Sequence, residues 1–338
     1  MRFAFLTSAF IAVASLATAC GEDAPADREY KIGMVSWAAY APLNVAQHKG
    51  FWEELGIKAR AVNFKVNSEL NAALENRDID FALDMMGSWT HMILVDKVPL
   101  ILLGETDWSH GGDKIIVKTD YLDRMAELQG GELGVYLKML SVEFFLDKYL
   151  RENDLHFSDF TVIEGNGPKD LADDFIAGNY KLMVNYDPEA ARACDEGGGT
   201  VVKTSADYPG VIPEGFAARS DYLRHVPESV AVKIFKGFFK AHEWMNDPAN
   251  FAELAEIMND WTYEHDPCCY TDEEITSFLG SVSIHDVDTL FQRNQLGGGF
   301  SQYLTEASQF MEREYRTDPV VIEDVFDNRA IMKAIAEY

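Results

Sequence analysis

Residues 30–62 read YKIGMVSWAAYAPLNVAQHKGFWEELGIKARAV, and this stretch decides the fold. Its first apolar run, Tyr30–Val35, predicts a short strand, and apolar side chains at helical spacing predict a helix over Pro42–Leu55. Gly56 then stands where helices commonly stop, and Ala59–Phe64 predicts a second strand. Short apolar strands that alternate with helices are typical of parallel sheets covered on both faces.

The same alternation continues along the chain. Further strands are predicted at Phe81–Asp84, Leu100–Gly104, Lys114–Val117, Glu132–Tyr136, Phe160–Ile163, Lys181–Val184 and Thr200–Lys203. Helices are predicted at Ser68–Leu74, Ser88–Val95, Ser141–Glu152, Pro168–Ala177, Pro227–Met245, Pro248–Met258, Thr271–Leu279, Phe300–Glu314 and Asn328–Tyr338. The pattern predicts an α/β protein with two lobes, each a parallel or mixed sheet flanked by helices, and a ligand cleft between them. Lobe I is expected to comprise residues 30–108 and 215–338, and lobe II residues 109–214.

The composition is that of a folded protein with a strongly acidic surface. The 338 residues are 47% hydrophobic, and 29 basic residues stand against 56 acidic ones, which gives a formal net charge of −27. Such a charge repels phosphate backbones and therefore excludes a nucleic acid as the partner. An acidic surface is otherwise typical of a soluble protein.

The amino terminus has the pattern of an export signal. Met1-Arg2 supplies one positive charge, and Phe3–Ala19 is apolar and uncharged, which predicts a signal peptide over residues 1–19. The small residues before Cys20 resemble the bacterial lipobox, so we expect Cys20 to be lipidated and residues 20–29 to form a tether. The membrane would then be contacted through this lipid anchor alone, in the periplasm or at the cell surface. The alternative is an ordinary cleaved signal with a cysteine there by chance.

Three further cysteines are present, Cys194, Cys268 and Cys269. An oxidising compartment permits a disulfide, and we expect Cys194 to pair with one of the other two, which leaves one thiol over. The chain has no CxxC motif and no paired histidines, so the sequence predicts no metal site and no cofactor. Motifs of hydrolases, metalloproteases and phosphate-binding loops are also missing, and no catalytic residue is predicted.

Five stretches in the same order resemble elements of a family of periplasmic substrate-binding proteins. The family serves ABC importers of nitrate, sulfonates, taurine and thiamine precursors, and the stretches are residues 30–62, Asn67–Asp84 with its turn at Arg77–Asp80, Met86-Gly87-Ser88, Asp107–Asp113 and Asn185–Glu189. Two of them depart from the family pattern. The turn at Arg77–Asp80 lacks the usual glycine, and Asn185–Glu189 has neither of the family's two tryptophans.

The resemblance implies a type II periplasmic-binding-protein fold and a function in transport. The protein would be a monomer that captures a small-molecule ligand by closure of the two lobes and delivers it to an ABC permease and ATPase complex. It would not be an enzyme. A thiamine-pyrimidine synthase shares this fold family and is the enzymatic alternative, and a sensor lipoprotein is a third possibility.

The resemblance and the predicted strand ends together place a set of side chains in the cleft. The predicted ligand-binding residues are Ser36, Trp37, Tyr40, Ser88, Trp89, Asp107, Trp108, His110, Tyr136, Ser141, Glu143, Tyr186, Asp187 and Glu189. The same loops carry the acids Asp113 and Glu214, whereas Lys138 and His110 are the few basic candidates. Aromatic faces and carboxylates suit a cation, so an amine or another nitrogen-containing cation is the favoured ligand. The alternative is an anion such as nitrate, an alkylsulfonate or taurine, bound by helix amino termini.

Overall fold

The computed structural model of the protein describes residues 28–136, 139–165 and 167–338. The predicted signal peptide, the lipidation site Cys20 and Lys138 lie outside the described residues. Arg28 forms an ion pair with Asp80, and the first strand begins at Glu29. In the described part of the chain, none of the helices is both long and apolar enough to cross a bilayer.

Eleven strands in the described part of the chain form two mixed sheets. The strands are β1 Glu29–Val35, β2 Lys58–Phe64, β3 Phe81–Met85, β4 Leu100–Ser109, β5 Asp113–Lys118, β6 Glu132–Val135, β7 Thr161–Glu164, β8 Leu182–Tyr186, β9 Gly199–Thr204, β10 Pro213–Arg219 and β11 Val282–Ile284. The first sheet has the order β11-β4-β10-β3-β1-β2, and the second has the order β7-β6-β8-β5-β9. The predicted α/β class with mixed sheets is therefore confirmed.

Each sheet combines a parallel part with antiparallel strands. In the first sheet β1 runs parallel to β2 and β3, whereas β10 is antiparallel to both β3 and β4, and β11 is antiparallel to β4. In the second sheet β6 runs parallel to β7 and β8, and β5 is antiparallel to β8 and β9. The antiparallel strands β5 and β10 directly follow the two places where the chain changes sheet.

Helices flank the two sheets. They are α1 Ala41–His48, α2 Phe51–Glu54, α3 Asn67–Asn76, α4 Met86–Leu94, α5 Leu140–Glu152, α6 Pro168–Ala177, α7 Glu189–Gly197, α8 Ser220–Leu223, α9 Glu228–Met245, α10 Phe251–Ile257, α11 Asp272–Gly280, α12 Val287–Asn294, α13 Gly299–Glu314, α14 Ile322–Val325 and α15 Arg329–Glu337. Short 3-10 helices occur at Ala38–Tyr40, Thr119–Tyr121, Met125–Leu128, Phe157–Asp159, Ser205–Asp207 and Pro248–Asn250, and a π-helical turn at Met258–Thr262.

The single helix predicted over Pro42–Leu55 was wrong, because the structure has two helices there. Helix α1 ends at His48 and α2 begins at Phe51. Gly50 between them has a φ of 71°, in the left-handed region that glycine adopts most easily. The glycine thus turns the chain between the two helices, and Phe51 and Trp52 are both buried as a result.

The expected disulfide was also wrong. Cys268 is bonded to its neighbour Cys269, and Cys194 is a free, half-buried thiol. Cys194 lies on α7, which packs against β8 and β9 of the second sheet. The two adjacent cysteines instead lie between the π-helical turn and α11, and the turn packs on α1 beside the first sheet. Sequence spacing gave no information about this separation.

The two sheets share one continuous apolar cluster. Buried side chains of the first sheet and its helices, such as Trp89 and Leu102, belong to the same cluster as Leu133 and Phe145 of the second. A second cluster lies under α1 and α9 on the other face of the first sheet. The two sheets therefore contact each other through packed side chains as well as through the connecting chain.

Two neighbouring segments carry the chain from one sheet to the other. The first joins β4 to β5 through residues 110–112, and the second joins β9 to β10 through residues 205–212. The hydroxyl groups of Ser109 and Ser205 lie 2.8 Å apart, and the backbone N–H of Gly111 donates to the Ser205 hydroxyl at 2.7 Å. These hydrogen bonds tie the two crossing segments together.

A close contact between α2 and α9 gives a test of the packing. A Cβ atom at Gly237 would lie 2.2 Å from Nε1 of Trp52, which also donates to the Ile234 carbonyl at 3.3 Å. Alanine ordinarily favours a helix over glycine by about 1 kcal/mol. Because the indole blocks the site, we expect Gly237→Ala to lower the free energy of unfolding by about 1–3 kcal/mol, measured by denaturant titration.

Gly280→Ala is the matched control. A Cβ atom at Gly280, on α11, would meet no atom within 4 Å, so this variant is expected to keep the wild-type stability or to exceed it slightly. If the two variants are equally stable, the close packing of Trp52 on α9 is contradicted.

Candidate ligand-binding cavity

A cavity of about 430 Å³ lies where strands of the two sheets converge. Its lining residues are Val35, Ser36, Trp37, Tyr40, Lys65, Val66, Asn67, Ser68, Asp84, Met85, Asp113, Tyr136, Gly167, Pro168, Tyr186 and Glu214. The carboxyl ends of β1, β3, β6 and β8 meet there, and the antiparallel β5 and β10 begin there. In open α/β sheets this edge is the usual place for a ligand.

Asp84, at the end of β3, is buried and fully hydrogen-bonded on the cavity wall. One carboxylate oxygen accepts from the Tyr40 hydroxyl at 3.3 Å, and the other accepts from the Asn67 side-chain amide at 2.7 Å. Burial raises the pKa of Asp84 to about 6, although these hydrogen bonds partly oppose the shift. The carboxylate therefore exists mostly in its charged form at neutral pH, with its local donors already in use.

Glu214 and Asp107 face each other on adjacent strands. The register of β10 and β4 places them directly opposite, and both are buried. Glu214 lines the cavity, and Asp107 lies behind it. Burial, followed by the charge of Asp107, raises the pKa of Glu214 well above its usual range, and burial raises the pKa of Asp107 to about 6.

Asp113, the first residue of β5, adds a carboxyl group from the second sheet. It accepts a hydrogen bond of 2.6 Å from the hydroxyl of Tyr136, and its own backbone N–H donates to the hydroxyl of Ser109 at 3.3 Å. Burial raises the pKa of Asp113. Buried carboxyl groups of both sheets thus converge on one cavity.

Three aromatic rings form another wall of the cavity. The ring centroids of Trp37 and Tyr186 are 6.3 Å apart, and those of Tyr136 and Tyr186 are 5.2 Å apart, both in edge-to-face geometry. The indole Nε1 of Trp37 is buried without a hydrogen-bond partner. The wall therefore offers π faces, which attract cations, together with a donor that has no partner among the described residues.

The rim carries helix amino termini. Asn67 and Ser68 begin α3, and Gly167 and Pro168 begin α6. Among the described lining residues Lys65 has the one basic side chain, and it is exposed. No group of three or more His, Cys, Asp or Glu side chains in the described ranges has the arrangement of a metal site.

Five of the fourteen predicted site residues line the cavity, namely Ser36, Trp37, Tyr40, Tyr136 and Tyr186. The other nine do not: Ser88, Trp89, Asp107, Trp108, His110, Ser141, Glu143, Asp187 and Glu189. Asp107 is the one of these nine that lies directly opposite a lining residue, Glu214. Contact of any of these side chains with a ligand stays a prediction.

The start of α4 and the start of α5 pack against each other rather than facing the cavity. The backbone N–H of Gly87 donates to the Ser141 hydroxyl at 3.1 Å, which also lies 3.0 Å from the Tyr303 hydroxyl. Ser88 and Trp89 are buried in this region, and the Glu143 carboxylate accepts a hydrogen bond from Tyr315. These helix starts were expected in the cleft, but they are buried in the packing of α4 against α5 instead.

The remaining predicted residues lie elsewhere because of local strand geometry and ion pairing. β4 continues to Ser109, so Trp108 packs against β11, with its ring 4.5 Å from that of His285. His110 is exposed, and its backbone N–H bonds to the Ser281 carbonyl. Asp187 pairs with Lys114, and Glu189 pairs with Arg192.

Sequence reasoning missed Asp84 and the residues at the start of α3. It placed Glu214 among the acids of the cleft loops but not among the predicted site residues. A signal for Asp84 was available, because the predicted strand Phe81–Asp84 ends on this acid and parallel strands present ligands at their carboxyl ends. The role of Asn67 as a donor to Asp84 depends on how α3 packs, and no local pattern predicts it.

Solved structures with the same fold include transport proteins and one enzyme. The ligand-binding component of an ABC-type import system from Staphylococcus aureus, solved with zinc bound, is 16% identical, with a TM-score of 0.69 and coverage of 91% of this chain and 99% of that one. The nitrate-binding protein NrtA of Synechocystis PCC 6803 is 14% identical, with a TM-score of 0.68 and coverage of 93% and 90%. The desulfurization enzyme DSZB is 12% identical, with a TM-score of 0.58 and coverage of 91% and 99%.

Sequence comparison gives the family. The Bacillus subtilis protein YtlA, named as a binding protein, is 24% identical over 238 residues, which cover 68% of this chain and 69% of YtlA. The model of the NMT1-like family matches residues 23–259, which is more than half of the chain. The structure has the fold of periplasmic binding proteins, and the chain belongs to the NMT1-like family.

Proposed function

We propose that this protein is the solute-binding component of an ABC importer and that its solute is a small organic cation, such as an amine. One observation carries the choice of ligand: buried carboxyl groups of Asp84, Asp113 and Glu214 converge on the cavity, and the one basic side chain among its described lining residues is on the rim. A ligand that brings a positive charge supplies the missing counterion.

The energetics favour this pairing. A buried charge is costly unless it is paired and hydrogen-bonded, and raised pKa values at Asp84 and Glu214 express that cost. A cation between these groups lowers the cost of ionising them. The faces of Trp37 and Tyr186 add cation–π attraction of about 0.5–2 kcal/mol each.

The proposed transport cycle uses the two sheets as two lobes, residues 30–108 with 215–338 and residues 109–214. The lobes would close on the solute by movement at the crossing segments, and the closed form would be recognised by the permease and ATPase complex. The known transport functions of proteins with this fold, which include an ABC import system component and a nitrate-binding protein, support this proposal. The expectation of a monomer anchored through a lipid on Cys20, in the periplasm or at the cell surface, is part of the same proposal.

Two other functions have specific support. An anion ligand, such as nitrate, taurine or another sulfonate, is favoured by the amino termini of α3 and α6 at the rim and by Lys65 beside them. An enzymatic function is favoured by the shared fold of the desulfurization enzyme. We favour transport of a cation over both. Buried carboxyl groups repel anions, which argues against an anionic ligand. The sequence lacks the nucleophile motif of hydrolases and the metal motif of metalloproteases, which argues against an enzyme.

A thermal-shift screen distinguishes these ligand classes. The panel contains phenethylamine, agmatine, a 4-aminopyrimidine, taurine, ethanesulfonate and nitrate, each tested with the wild type and with Glu214→Gln. We expect a cation of the panel to raise the melting temperature, because a ligand at about 100 times its dissociation constant adds about 2.7 kcal/mol of stability. The Glu214→Gln variant should lose most of this shift, since it removes a carboxylate that pairs with the ligand.

Glu132→Gln is the control for the loss of one acidic charge, because Glu132 is exposed at the start of β6. It should keep the full shift. A panel in which nitrate or ethanesulfonate stabilises the protein and no cation does would overturn the proposed ligand class. Conversion of a panel compound by the purified protein would overturn the transport function.

The aromatic wall gives a second prediction. We expect Trp37→Leu to weaken binding of the most stabilising panel cation by about 2- to 30-fold, the equivalent of a cation–π contact of 0.5–2 kcal/mol, as measured by calorimetric titration. Trp261→Leu is the matched control, because Trp261 is exposed and does not line the cavity, so its loss should leave the affinity unchanged. Equal losses in both variants would contradict the assignment of Trp37 to the ligand wall.

A further inference from the structure

We propose that Asp107 and Glu214 hold one shared proton in the ligand-free protein, and that the cationic group of the solute replaces it, so that binding releases a proton. The inference rests on the proposed function, because it needs a cationic ligand. It adds a role for Asp107, a positioning residue behind the cavity wall, and it makes capture of the solute dependent on pH.

The geometry of the pair leaves two oxygens in need of a proton. β10 and β4 place Glu214 and Asp107 opposite each other, with 2% and 0% of their surfaces exposed. Oε2 of Glu214 and Oδ1 of Asp107 are buried and have no hydrogen-bond donor among the residues that the structure describes, while Oδ2 of Asp107 accepts from the Thr106 hydroxyl at 2.9 Å. Two adjacent buried carboxylates that each have an oxygen without a donor are unstable when both are charged, and a proton between them supplies a missing hydrogen bond.

The titratable groups that most affect Glu214 in the described part of the chain are acidic. Asp84, near the end of β3, and Asp113, at the start of β5, also line the cavity with Glu214, and their charges further raise its pKa. The hydroxyls of Tyr40, from the 3-10 helix, and Tyr136, which follows β6, also lie within its electrostatic reach. Among these neighbours no basic group is present to replace the proton.

Asp107 has one basic neighbour, and that neighbour is already engaged. His285, next to β11, lies close enough to lower the pKa of Asp107, but its Nε2 bonds to the Glu105 carboxylate at 2.9 Å. The same carboxylate is held by Arg293 at 2.8 Å. His285 and Arg293 thus both bond to Glu105 and leave Asp107 to Glu214.

The direction of the pKa shifts fits a retained proton. For Glu214 the folded protein keeps a proton that the unfolded chain loses above its normal pKa near 4.5. The stabilising effect of this proton is complete below that value and disappears as the pH rises through the higher pKa of the folded state. The pKa of Asp107 is also raised, to about 6, so the stabilising effect of a proton on Asp107 disappears as the pH rises through that value.

The exchange conserves charge. In the ligand-free protein the pair carries one proton and one negative charge. When a protonated amine arrives, the carboxyl O–H bond of Glu214 breaks, its proton leaves through the cavity to water, and the carboxylate pairs with the ammonium group. Asp107 does not touch the ligand. Its charge determines how firmly Glu214 holds the proton and therefore the pH at which the cavity accepts a cation.

Infrared spectroscopy of the ligand-free protein tests the shared proton without any ligand. A protonated carboxyl group has its own carbonyl-stretch band, and we expect this band in the wild type at about pH 7.5, where ordinary Asp and Glu side chains are ionised. The band should be lost in Glu214→Gln. In Asp107→Asn its titration midpoint should move to lower pH, because the neighbouring negative charge is gone, whereas a purely structural role for Asp107 would not move the midpoint in that direction.

Glu132→Gln is again the control and should keep the band unchanged, and circular dichroism should show that all variants are folded. If the wild type has no such band, or if Glu214→Gln keeps it, the shared proton is overturned. A midpoint in Asp107→Asn equal to that of the wild type would overturn the role of Asp107.

Saturating phenethylamine tests the exchange step, with phenethyl alcohol as its uncharged counterpart. We expect the amine to abolish the infrared band. Calorimetric titration of the amine in buffers of different ionisation enthalpy should also show that up to one proton is released per protein molecule. The alcohol should neither abolish the band nor release a proton. A thermal shift with phenethylamine while the band persists overturns the exchange alone. If no amine of the panel binds, the exchange and the proposed ligand class both fail. The infrared spectrum of the ligand-free protein still shows separately whether Asp107 and Glu214 share a proton.

Discussion

The position of β10 between β3 and β4 is the constraint on which the cavity depends. The chain leaves the first sheet after β4, builds the second sheet, and returns as β10 between two strands formed earlier. Because β10 is antiparallel to both neighbours, its first residues lie at the carboxyl end of β3. Glu214 is thereby placed opposite Met85, the neighbour of Asp84, on one side and opposite Asp107 on the other. Hydrogen bonding between Ser109 and Ser205 holds the two crossing segments together nearby.

This arrangement concentrates acidic groups where the fold has few ways to neutralise them. The buried acids are stabilised in different ways. Asp84 and Asp113 accept hydrogen bonds from neutral donors, including Tyr40 and Tyr136, whereas Glu105 forms an ion pair with Arg293. Among the described residues, Oε2 of Glu214 has no hydrogen-bond donor and Glu214 has no basic partner. A buried acid whose pKa is strongly raised by its surroundings, in the wall of a cavity, is a candidate for a functional role.

Much of the fold could be predicted from sequence because it depends on local patterns. The alternation from Tyr30 onward located most strands and helices within a few residues. β10 was missed because PEGFAAR, with a proline and a glycine, has little of the apolar or β-branched character of a strand, and its place depends on partners distant in sequence. The same limit applies to the site. Trp37 and Tyr186 lie at strand ends and could be predicted. Ser141 begins a predicted helix after a strand and was therefore assigned to the cleft. The packing of α4 on α5, which buries it instead, has no local signature in the sequence.

The balance between a cation and an anion depends on what the helix amino termini at the rim already do. A free helix amino terminus stabilises an anion by about 0.3–1 kcal/mol near the surface. At α3 the side chain of Asn67 donates to Asp84, so an anionic group of the protein itself already lies beside this terminus. An external anion there would approach a buried carboxylate whose pKa of about 6 leaves it mostly charged at neutral pH. An incoming ammonium group meets the opposite situation, because it approaches carboxyl groups on several strands. The hydrogen bond between Asn67 and Asp84 thus makes the rim less suited to anions, which supports the proposed cationic ligand over an anionic one.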